Sequence, residues 1–126
     1  MSSTIINTQD APAPIGPYNQ SVKANGFLFM SGQIAIDPET NTIVAATIEE
    51  ETVQVMKNLS AVLAAANMDF RNVVKTTIFL SDMSLFHAVN EVYGKYFSEH
   101  APARETVAVK GLPRNVNVEI SMIAAE

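Results

Sequence analysis

The sequence predicts an α+β fold in which two helices pack on one face of a single mixed β-sheet. Apolar residues recur with the 3.6-residue period of a helix in two segments, 48–66 and 84–99. The other apolar segments alternate with the two-residue period of a strand. A chain of 126 residues has the length of one domain, so we expect residues 1–126 to share one core.

The first two predicted strands follow a proline-rich loop at residues 11–17, whose prolines restrict the backbone. Strands are expected at 18–24 and 27–36 because the residues in both segments alternate between polar and apolar. Asn25 and Gly26 separate the two segments, and this dipeptide is a strong signal for a two-residue hairpin turn. The two strands are therefore predicted to be antiparallel neighbours.

The first helix is predicted over 48–66, after a turn at 37–41 and a short strand at 42–45. Thr47 is a suitable N-cap, and three glutamates follow in the first turn, near the positive end of the helix dipole. Asn67 can end the helix because asparagine tolerates the left-handed conformation.

The second helix is predicted over 84–99, after a strand at 73–80. Asp82 or Ser84 is its expected N-cap, since both side chains can accept a hydrogen bond from the first turn. The strand at 73–80 connects the two helical segments, so it is expected to lie in the same sheet as the first hairpin.

Two helices can cover only one face of this sheet. The residues predicted to meet the helices from the second strand are Leu28, Met30, Ile34 and Ile36. The residues predicted on the opposite face are Phe27, Phe29, Ser31, Gln33, Val73, Lys75, Thr77 and Phe79. A face that carries three phenylalanines should not lie open to water, so we expect another copy of the chain to cover it. The alternative is that loops and the N-terminal segment cover it.

The last two strands, 104–110 and 116–124, are predicted to form a hairpin across the loop 111–115. Symmetric closure of this hairpin would set Thr106 opposite Glu119 and Arg104 diagonal to it. The three side chains would then meet at the uncovered face. Two interpretations remain open: a reactive site, or an ordinary cross-strand ion pair between Arg104 and Glu119.

Composition excludes several classes of function. The net charge of −5 argues against nucleic acid or an anionic membrane as the main partner. The absence of cysteine excludes disulfides, thiolate metal sites and a cysteine nucleophile. The longest apolar run is six residues, too short to span a membrane, and the N-terminus lacks the features of a signal peptide. We therefore expect a cytoplasmic protein.

Generic catalytic motifs are also missing from the sequence. His87 and His100 are isolated, so we expect a helix-surface residue and a loop residue instead of metal ligands. Ser31 and Gly32 lie inside a predicted strand. Glycine weakens a strand, so this dipeptide indicates either a bulge or the close approach of backbone or ligand.

Five motifs occur in order along nearly the whole chain from about residue 7: Ile15–Gln20, Phe29–Ile34, Pro102–Val107, Leu112–Pro113 and Val118–Ile120. Val74–Thr77 and Val89–Asn90 add two weaker matches. Together they resemble the RidA (YjgF-type) family of enamine/imine deaminases. The resemblance implies a chorismate-mutase-like subunit, a homotrimer whose sheets line a central barrel, and sites in the clefts between subunits.

The resemblance also implies which residues form the site. The implied catalytic residues are Arg104, Glu119, Tyr18 and Thr106. The implied substrate-binding residues are Arg104, Ser31, Gly32 and Asn90. The chain departs from the family pattern at Thr106, where several members carry cysteine, at Ser121, where a second glutamate is common, and in the shorter loop 98–101. A thiol is therefore not required here.

The function implied by the resemblance is the hydrolysis of 2-enamine and 2-imine acids, such as 2-aminoacrylate and 2-aminocrotonate, to 2-keto acids and ammonia. The planar fork of Arg104 suits the substrate carboxylate, while Glu119 and Thr106 can orient water and move protons. Tyr18 either relays a proton or walls the pocket. No metal or organic cofactor is expected. The alternatives are a non-catalytic module that binds small keto acids and an RNA-cleaving translation inhibitor.

Overall fold

The structure is a computed structural model and describes residues 2–126. Its strands are β1 (Ser3–Ile6), β2 (Ser21–Ala24), β3 (Phe27–Gln33), β4 (Ile36–Asp37), β5 (Thr42–Ile43), β6 (Val73–Leu80), β7 (Ala103–Ala108) and β8 (Val118–Ala125). Its helices are α1 (Ile48–Ala65) and α2 (Phe86–Gly94). Single 3₁₀ turns occur at Phe70–Asn72, Met83–Leu85 and Pro113–Asn115.

Six strands form one mixed sheet in the order β1-β2-β3-β8-β6-β7. All neighbours are antiparallel except β6 and β7, which run parallel. The short strands β4 and β5 pair separately. Both helices pack on one face of the six-stranded sheet, and the core lies between them and that face. The predicted mixed α+β architecture is confirmed.

Local signals in the sequence agree with the structure. Asn25 and Gly26 both have positive φ, at 53° and 81°, as a tight hairpin turn between β2 and β3 requires. Thr47 caps α1, because its hydroxyl accepts a hydrogen bond of 3.0 Å from the backbone N–H of Glu50. Asn67 follows the helix with φ of 59°, in the left-handed region. These three predictions are confirmed.

Helix α2 is shorter than predicted. It ends at Gly94, because glycine is a poor helix former and the following N–H groups bond three residues back, as from Tyr96 to Tyr93 at 3.1 Å. Tyr96 and Phe97 lie beyond the helix, but they continue its apolar spacing because they pack on another residue. Both rings pack edge-on against Phe70, with centroids 5.4 Å apart in each pair.

The predicted final hairpin is wrong. Strands β7 and β8 are not neighbours, because β6 lies between them and pairs with both. Strand β6 takes this position because Thr76, Ile78 and Leu80 point under the helices and are fully buried. A strand whose side chains on one face are all buried is stabilised most in the middle of a sheet, where helices cover that face.

Two bulges move residues off their predicted face. The register of β3 against β8 shifts between Met30 and Gln33, and that of β6 against β8 shifts between Val73 and Lys75. Gln33 and Val73 are consequently buried instead of lying on the open face. The bulge interpretation of Ser31-Gly32 is confirmed, since an extra residue reverses the alternation beyond it.

The second face of the sheet stays uncovered in the single chain. Phe27 and Phe29 are 41% and 47% exposed, and Val107 is exposed on the same face, on the edge strand β7. The N-terminal segment adds β1 to the edge of the sheet instead of folding across this face. The alternative that loops and the N-terminal segment cover these phenylalanines is therefore wrong. Among residues 2–126, no helix has the length and apolar character needed to cross a membrane.

Candidate functional site

A pocket with a volume of about 60 Å³ lies beside Glu119 at the start of β8. Its wall includes Ile15, Tyr18, Gly32, Ile34, Pro113 and Glu119. We call it the Glu119 pocket. Most of these walls are apolar, so the carboxyl group is the main ionisable group inside it. Burial raises the pKa of Glu119, because the charged form loses contact with water.

Gly32 touches Glu119 so closely that no side chain fits between them. A Cβ atom at position 32 would lie 2.9 Å from Cδ and 3.0 Å from Cγ of Glu119. The bulge in β3 creates this approach, since the ladder with β8 is interrupted between Met30 and Gln33. Both interpretations made from the sequence therefore apply to Gly32. It lies in a bulge, and its backbone closely approaches another residue, Glu119.

The loop that carries Tyr18 is held by a side chain that the sequence analysis missed. Gln20 is 2% exposed, and its amide nitrogen donates to the carbonyls of Thr8, Ala11 and Pro12 at 3.0, 3.2 and 2.8 Å. Its amide oxygen accepts from the N–H of Thr8 at 2.7 Å. A fully bonded buried glutamine ties the strand end to the loop, and only the folded contacts reveal it.

Tyr18 lies at the mouth of the pocket and is 48% exposed. Its hydroxyl accepts a hydrogen bond of 3.4 Å from the N–H of Ile15. The hydroxyl of Ser31 donates to the carbonyl of Asn19 at 2.6 Å, which fixes the residue next to Tyr18. Tyr18 and Gly32 thus line the same pocket as Glu119, and Ser31 immediately precedes Gly32.

Arg104 belongs to a second cluster, under α2. Its Nη1 donates to Oδ1 of Asn90 at 2.8 Å. Its guanidinium carbon lies 5.1 Å from the ring centre of Tyr93 and 5.8 Å from that of Phe86, within the range of cation–π contacts. We call this group, together with Thr106, the Arg104 cluster.

Tyr93 links this cluster to strand β6. Its hydroxyl donates to Oγ1 of Thr76 at 3.0 Å, and Thr76 pairs with Arg104 across β6 and β7. Burial raises the pKa of Tyr93, partly offset by the bond to Thr76 and the charge of Arg104, so the phenol stays protonated. The sequence analysis did not assign Tyr93 or Phe86 to the site and missed their contact with Arg104.

Thr106 lies two residues beyond Arg104 on the same face of β7. Its hydroxyl oxygen is shielded from solvent and has no hydrogen-bond partner among residues 2–126. A buried polar atom without a partner is uncommon, so this hydroxyl is free to form a hydrogen bond with water or with a bound molecule.

Arg104 and Glu119 lie on opposite faces of the sheet. Ile78 of β6 pairs with Thr106 and Ile120, while the next residue, Phe79, pairs with Val107 and Glu119. Because paired residues share a face and successive residues alternate, Thr106 and Glu119 point in opposite directions. The prediction that one hairpin brings Arg104, Thr106 and Glu119 together is wrong, and so is the ion pair between Arg104 and Glu119.

The two histidines lie away from both clusters. His87 is exposed on α2 and approaches Glu91 at 3.4 Å, and His100 is exposed in the loop before β7. Both were predicted as surface positions, and this is confirmed. Within residues 2–126, no three His, Asp or Glu side chains gather closely enough to hold a metal ion.

Two solved structures share this fold and place the chain in the class of Rid-type α+β subunits. A Rid-family protein of unknown function from Yersinia pestis superposes with a TM-score of 0.96 and 44% identity, over 99% of this chain and 100% of the other. TdcF of E. coli, solved with bound serine, superposes with a TM-score of 0.93 and 38% identity, over 98% of each chain.

The family model described as Endoribonuclease L-PSP matches residues 8–126. The chain belongs to this family, the YjgF/RidA family, and the resemblance carried by the five motifs is confirmed. The 2-iminobutanoate/2-iminopropanoate deaminase of Mus musculus is 46% identical over 122 residues, which span 97% of this chain and 90% of the mouse protein.

Proposed function

We propose that the protein hydrolyses 2-imino and 2-enamine acids to 2-keto acids and ammonia, at a site that two copies of the chain build together. The observation that carries the proposal is the pair of half-sites: a guanidinium held in place by Asn90 and two rings, and a half-buried carboxyl group with a raised pKa. The mouse deaminase and the serine-bound TdcF support this substrate class, since both names concern small amino-acid-like molecules.

Arg104 would bind the substrate carboxylate. Asn90 occupies only part of its guanidinium fork, and the remaining N–H groups can form the bidentate pair that a carboxylate prefers. Tyr93 and Phe86 limit the motion of the guanidinium, so little rotational freedom remains to be lost on binding. The unpartnered hydroxyl of Thr106 can donate to the same carboxylate.

Glu119 would exchange protons at the reacting carbon and nitrogen. An enamine first takes a proton at C3 and loses one from its nitrogen, which gives an imine whose C2 is electrophilic. A water oxygen bonds to C2, the C2–N bond then breaks, and ammonia leaves with the protons from water. Burial raises the pKa of Glu119, and a carboxyl group whose pKa moves toward the working pH can donate as well as accept protons more readily. Tyr18 lies close enough to the pocket to relay a proton or to exclude water.

The assembly follows from the placement of the two half-sites. One chain presents Arg104 and Glu119 on opposite faces of its sheet, so it cannot close both around one small molecule. We propose a homotrimer whose open faces, with Phe27 and Phe29, line a central barrel. Each cleft would then combine the Arg104 cluster of one copy with the Glu119 pocket of its neighbour. The number three rests on the family resemblance.

Light scattering tests the assembly. We expect the mass of three chains at micromolar concentration, because burial of the phenylalanine face stabilises the contact. The mass of one chain would contradict both the covered face and the shared cleft.

The activity is tested by coupling the protein to a serine or threonine dehydratase, which releases enamines, and following the keto acid as it forms. We expect the protein to accelerate this release, with and without EDTA, because no residue assigned to the site requires a metal. An Arg104→Lys variant is the matched control for charge without the planar fork. Keto-acid release at the rate of the dehydratase alone would overturn the proposal.

RNA cleavage is the second candidate, favoured by the description of the family model. The net charge of −5 disfavours binding to a phosphate backbone. Incubation with labelled single-stranded RNA decides between the two candidates, and we expect the RNA to remain intact.

A further inference from the structure

Helix α1 carries a buried polar stripe that neither the core nor the proposed chemistry explains. Glu51 is 0% exposed and Asn58 is 1% exposed. They lie seven residues apart, which places them two turns apart on the same side of the helix. Buried polar groups cost free energy unless they are hydrogen-bonded, so their partners indicate what they are for.

Glu51 binds the segment that leads into Glu119. Its Oε2 accepts from the N–H groups of Asn117 and Val118 at 2.8 and 3.2 Å. Its Oε1 accepts from the side-chain amide of Asn117 at 2.9 Å. Asn117 and Val118 immediately precede Glu119, so this carboxylate holds the chain next to the reactive carboxyl group.

Asn58 binds the segment that follows Gly32. Its amide nitrogen donates to the carbonyls of Ile34 and Ile36 at 3.0 and 2.9 Å. The amide oxygen of Asn58 accepts from Gln54 at 2.9 Å, which fixes the orientation of the amide. The pairing of β3 with β8 ends at Gln33, so these side-chain bonds hold the chain just beyond the ladder.

We propose that Glu51 and Asn58 are positioning residues, which together set the spacing between Gly32 and Glu119. Helix α1 is rigidly seated in the core through Val55 and Leu59, and its two polar side chains hold the two segments that meet in the Glu119 pocket. This inference rests on the proposed function only in giving Glu119 a role in the reaction.

Apolar packing alone could not replace the hydrogen bonds that Glu51 and Asn58 form. An apolar residue at position 51 could fill the space but would leave two N–H groups without an acceptor. A buried N–H group without a hydrogen-bond partner costs free energy, so the segment would shift to let water reach it. The contact at Gly32 has no spare room, so even a small shift of residues 117–118 would move the carboxyl group of Glu119 relative to the reacting atoms.

The test compares Glu51→Ala, Glu51→Gln and Asn58→Ala with Val62→Ala in the assembled protein. Val62 is a buried residue of the same helix, about 16 Å along the axis from Glu51, since each residue adds about 1.5 Å. Each variant is measured for denaturant stability, for kcat and KM, and for titration of the Glu119 side chain by ¹³C NMR. The Glu119→Gln variant identifies the resonance.

For Glu51→Ala and Asn58→Ala we expect kcat to fall by about 100-fold with KM nearly unchanged, because a displacement of about 1 Å has that effect on a reacting group. Glu51→Gln should recover most of kcat, since its amide oxygen can still accept from both N–H groups. Val62→Ala should lose stability and keep kcat. In both alanine variants the pKa of Glu119 should fall toward its ordinary value, because water reaches the released carboxyl group.

Loss of kcat in Val62→Ala in proportion to its loss of stability would overturn the proposal, as would an unchanged Glu119 titration in Asn58→Ala and Glu51→Ala. If Glu51→Ala does not fold, Asn58→Ala alone decides by the same readouts. If the wild-type protein shows no deaminase activity, the proposed function fails, and the NMR titration still decides whether Glu51 and Asn58 position Glu119.

Discussion

Replacement of Gly32 by alanine adds one methyl group at the closest contact in the Glu119 pocket. The new Cβ would lie 2.9 Å from Cδ and 3.0 Å from Cγ of Glu119. Carbon atoms in proteins meet at about 3.5–4.0 Å, so the carboxyl group must move by roughly 0.5–1 Å. The side chain of Glu119 can rotate away more easily than the backbone of β8 can shift, because β8 is bonded on both sides.

The expected effect is a large loss of rate with a small change in stability. A displacement of about 1 Å at a reacting group lowers kcat by roughly 100-fold, equivalent to about 2.7 kcal/mol of barrier at 1.36 kcal/mol per tenfold. The free energy of unfolding should change by less than about 1 kcal/mol, because alanine also restricts the unfolded chain, which offsets part of the crowding. KM should change little, since the Arg104 cluster is untouched.

The assay is steady-state deamination of dehydratase-generated imine, combined with urea denaturation. Gly94→Ala is the control, because no atom lies within 4 Å of a Cβ built at that glycine. A double-mutant cycle with Glu119→Gln tests whether the added methyl acts through the carboxyl group. If Gly32→Ala lowers kcat by the same factor in the Glu119→Gln background, the reasoning is refuted.

Three further predictions concern the two half-sites. Arg104→Ala should lower kcat/KM for deamination by roughly 10- to 150-fold and leave the fold intact by circular dichroism, because it removes a charge-assisted contact worth roughly 1.5–3 kcal/mol in binding. Equal mixing of the strongly impaired Arg104→Ala and Glu119→Gln chains, unfolded and refolded together, should restore about a quarter of the sites, since each cleft takes one half-site from each of two chains. Finally, Glu119→Gln should gain stability relative to the wild type as the pH rises above the ordinary value of 4.5, measured by urea denaturation at fixed protein concentration.

The sign of the pH effect follows from the raised pKa of Glu119. A folded-state pKa above the unfolded value means that the folded protein holds its proton more tightly. Ionisation therefore costs stability, and the cost appears between the unfolded and the folded pKa as the pH rises. The glutamine variant cannot ionise and escapes this cost. A stability difference between the two proteins that is independent of pH would contradict the assignment.

The other two predictions have equally direct tests. A folded Arg104→Ala variant with near-normal keto-acid formation would remove the carboxylate-binding role. Mixed chains that regain nothing, after subunit exchange has been verified by mass, would show that Arg104 and Glu119 do not meet in a shared cleft.

Most secondary structure could be predicted from the sequence because its causes are local. The strand at 73–80 agrees with β6 at both ends, and α1 differs from its prediction by one residue. Thr47, Asn67 and the Asn25-Gly26 turn act through neighbours within a few positions, so residue type and spacing were sufficient. Helix α2 was predicted too long because the aromatic residues after Gly94 pack on Phe70 at the same spacing that a helix would require.

The motif residues of the candidate site were also recognisable, in two groups. The structure places Asn90 on Arg104, and it places Tyr18, Ser31 and Gly32 near Glu119. Each group is close in space through a single strand pairing or a single loop. Family resemblance supplied their identity, but it did not say which of them one chain brings together.

The strand order was decided only by the tertiary structure. Residues 104–110 and 116–124 are close in sequence and look like a hairpin, but β6 enters between them because its buried row needs the centre of the sheet. That insertion puts Arg104 and Glu119 on opposite faces. Strand partners are chosen by burial across the whole domain, and alternation within a strand carries no information about its neighbour.

The buried polar side chains were likewise invisible in the sequence. Glu51 looked like one of three exposed first-turn glutamates, and Gln20 and Asn58 like ordinary polar residues. Each is buried and bonded to backbone groups that are distant along the chain. The sequence by itself determined the local elements and the chemistry of the site residues. The tertiary structure decided their faces and supports, because unpaired backbone groups find partners only once distant segments have packed together.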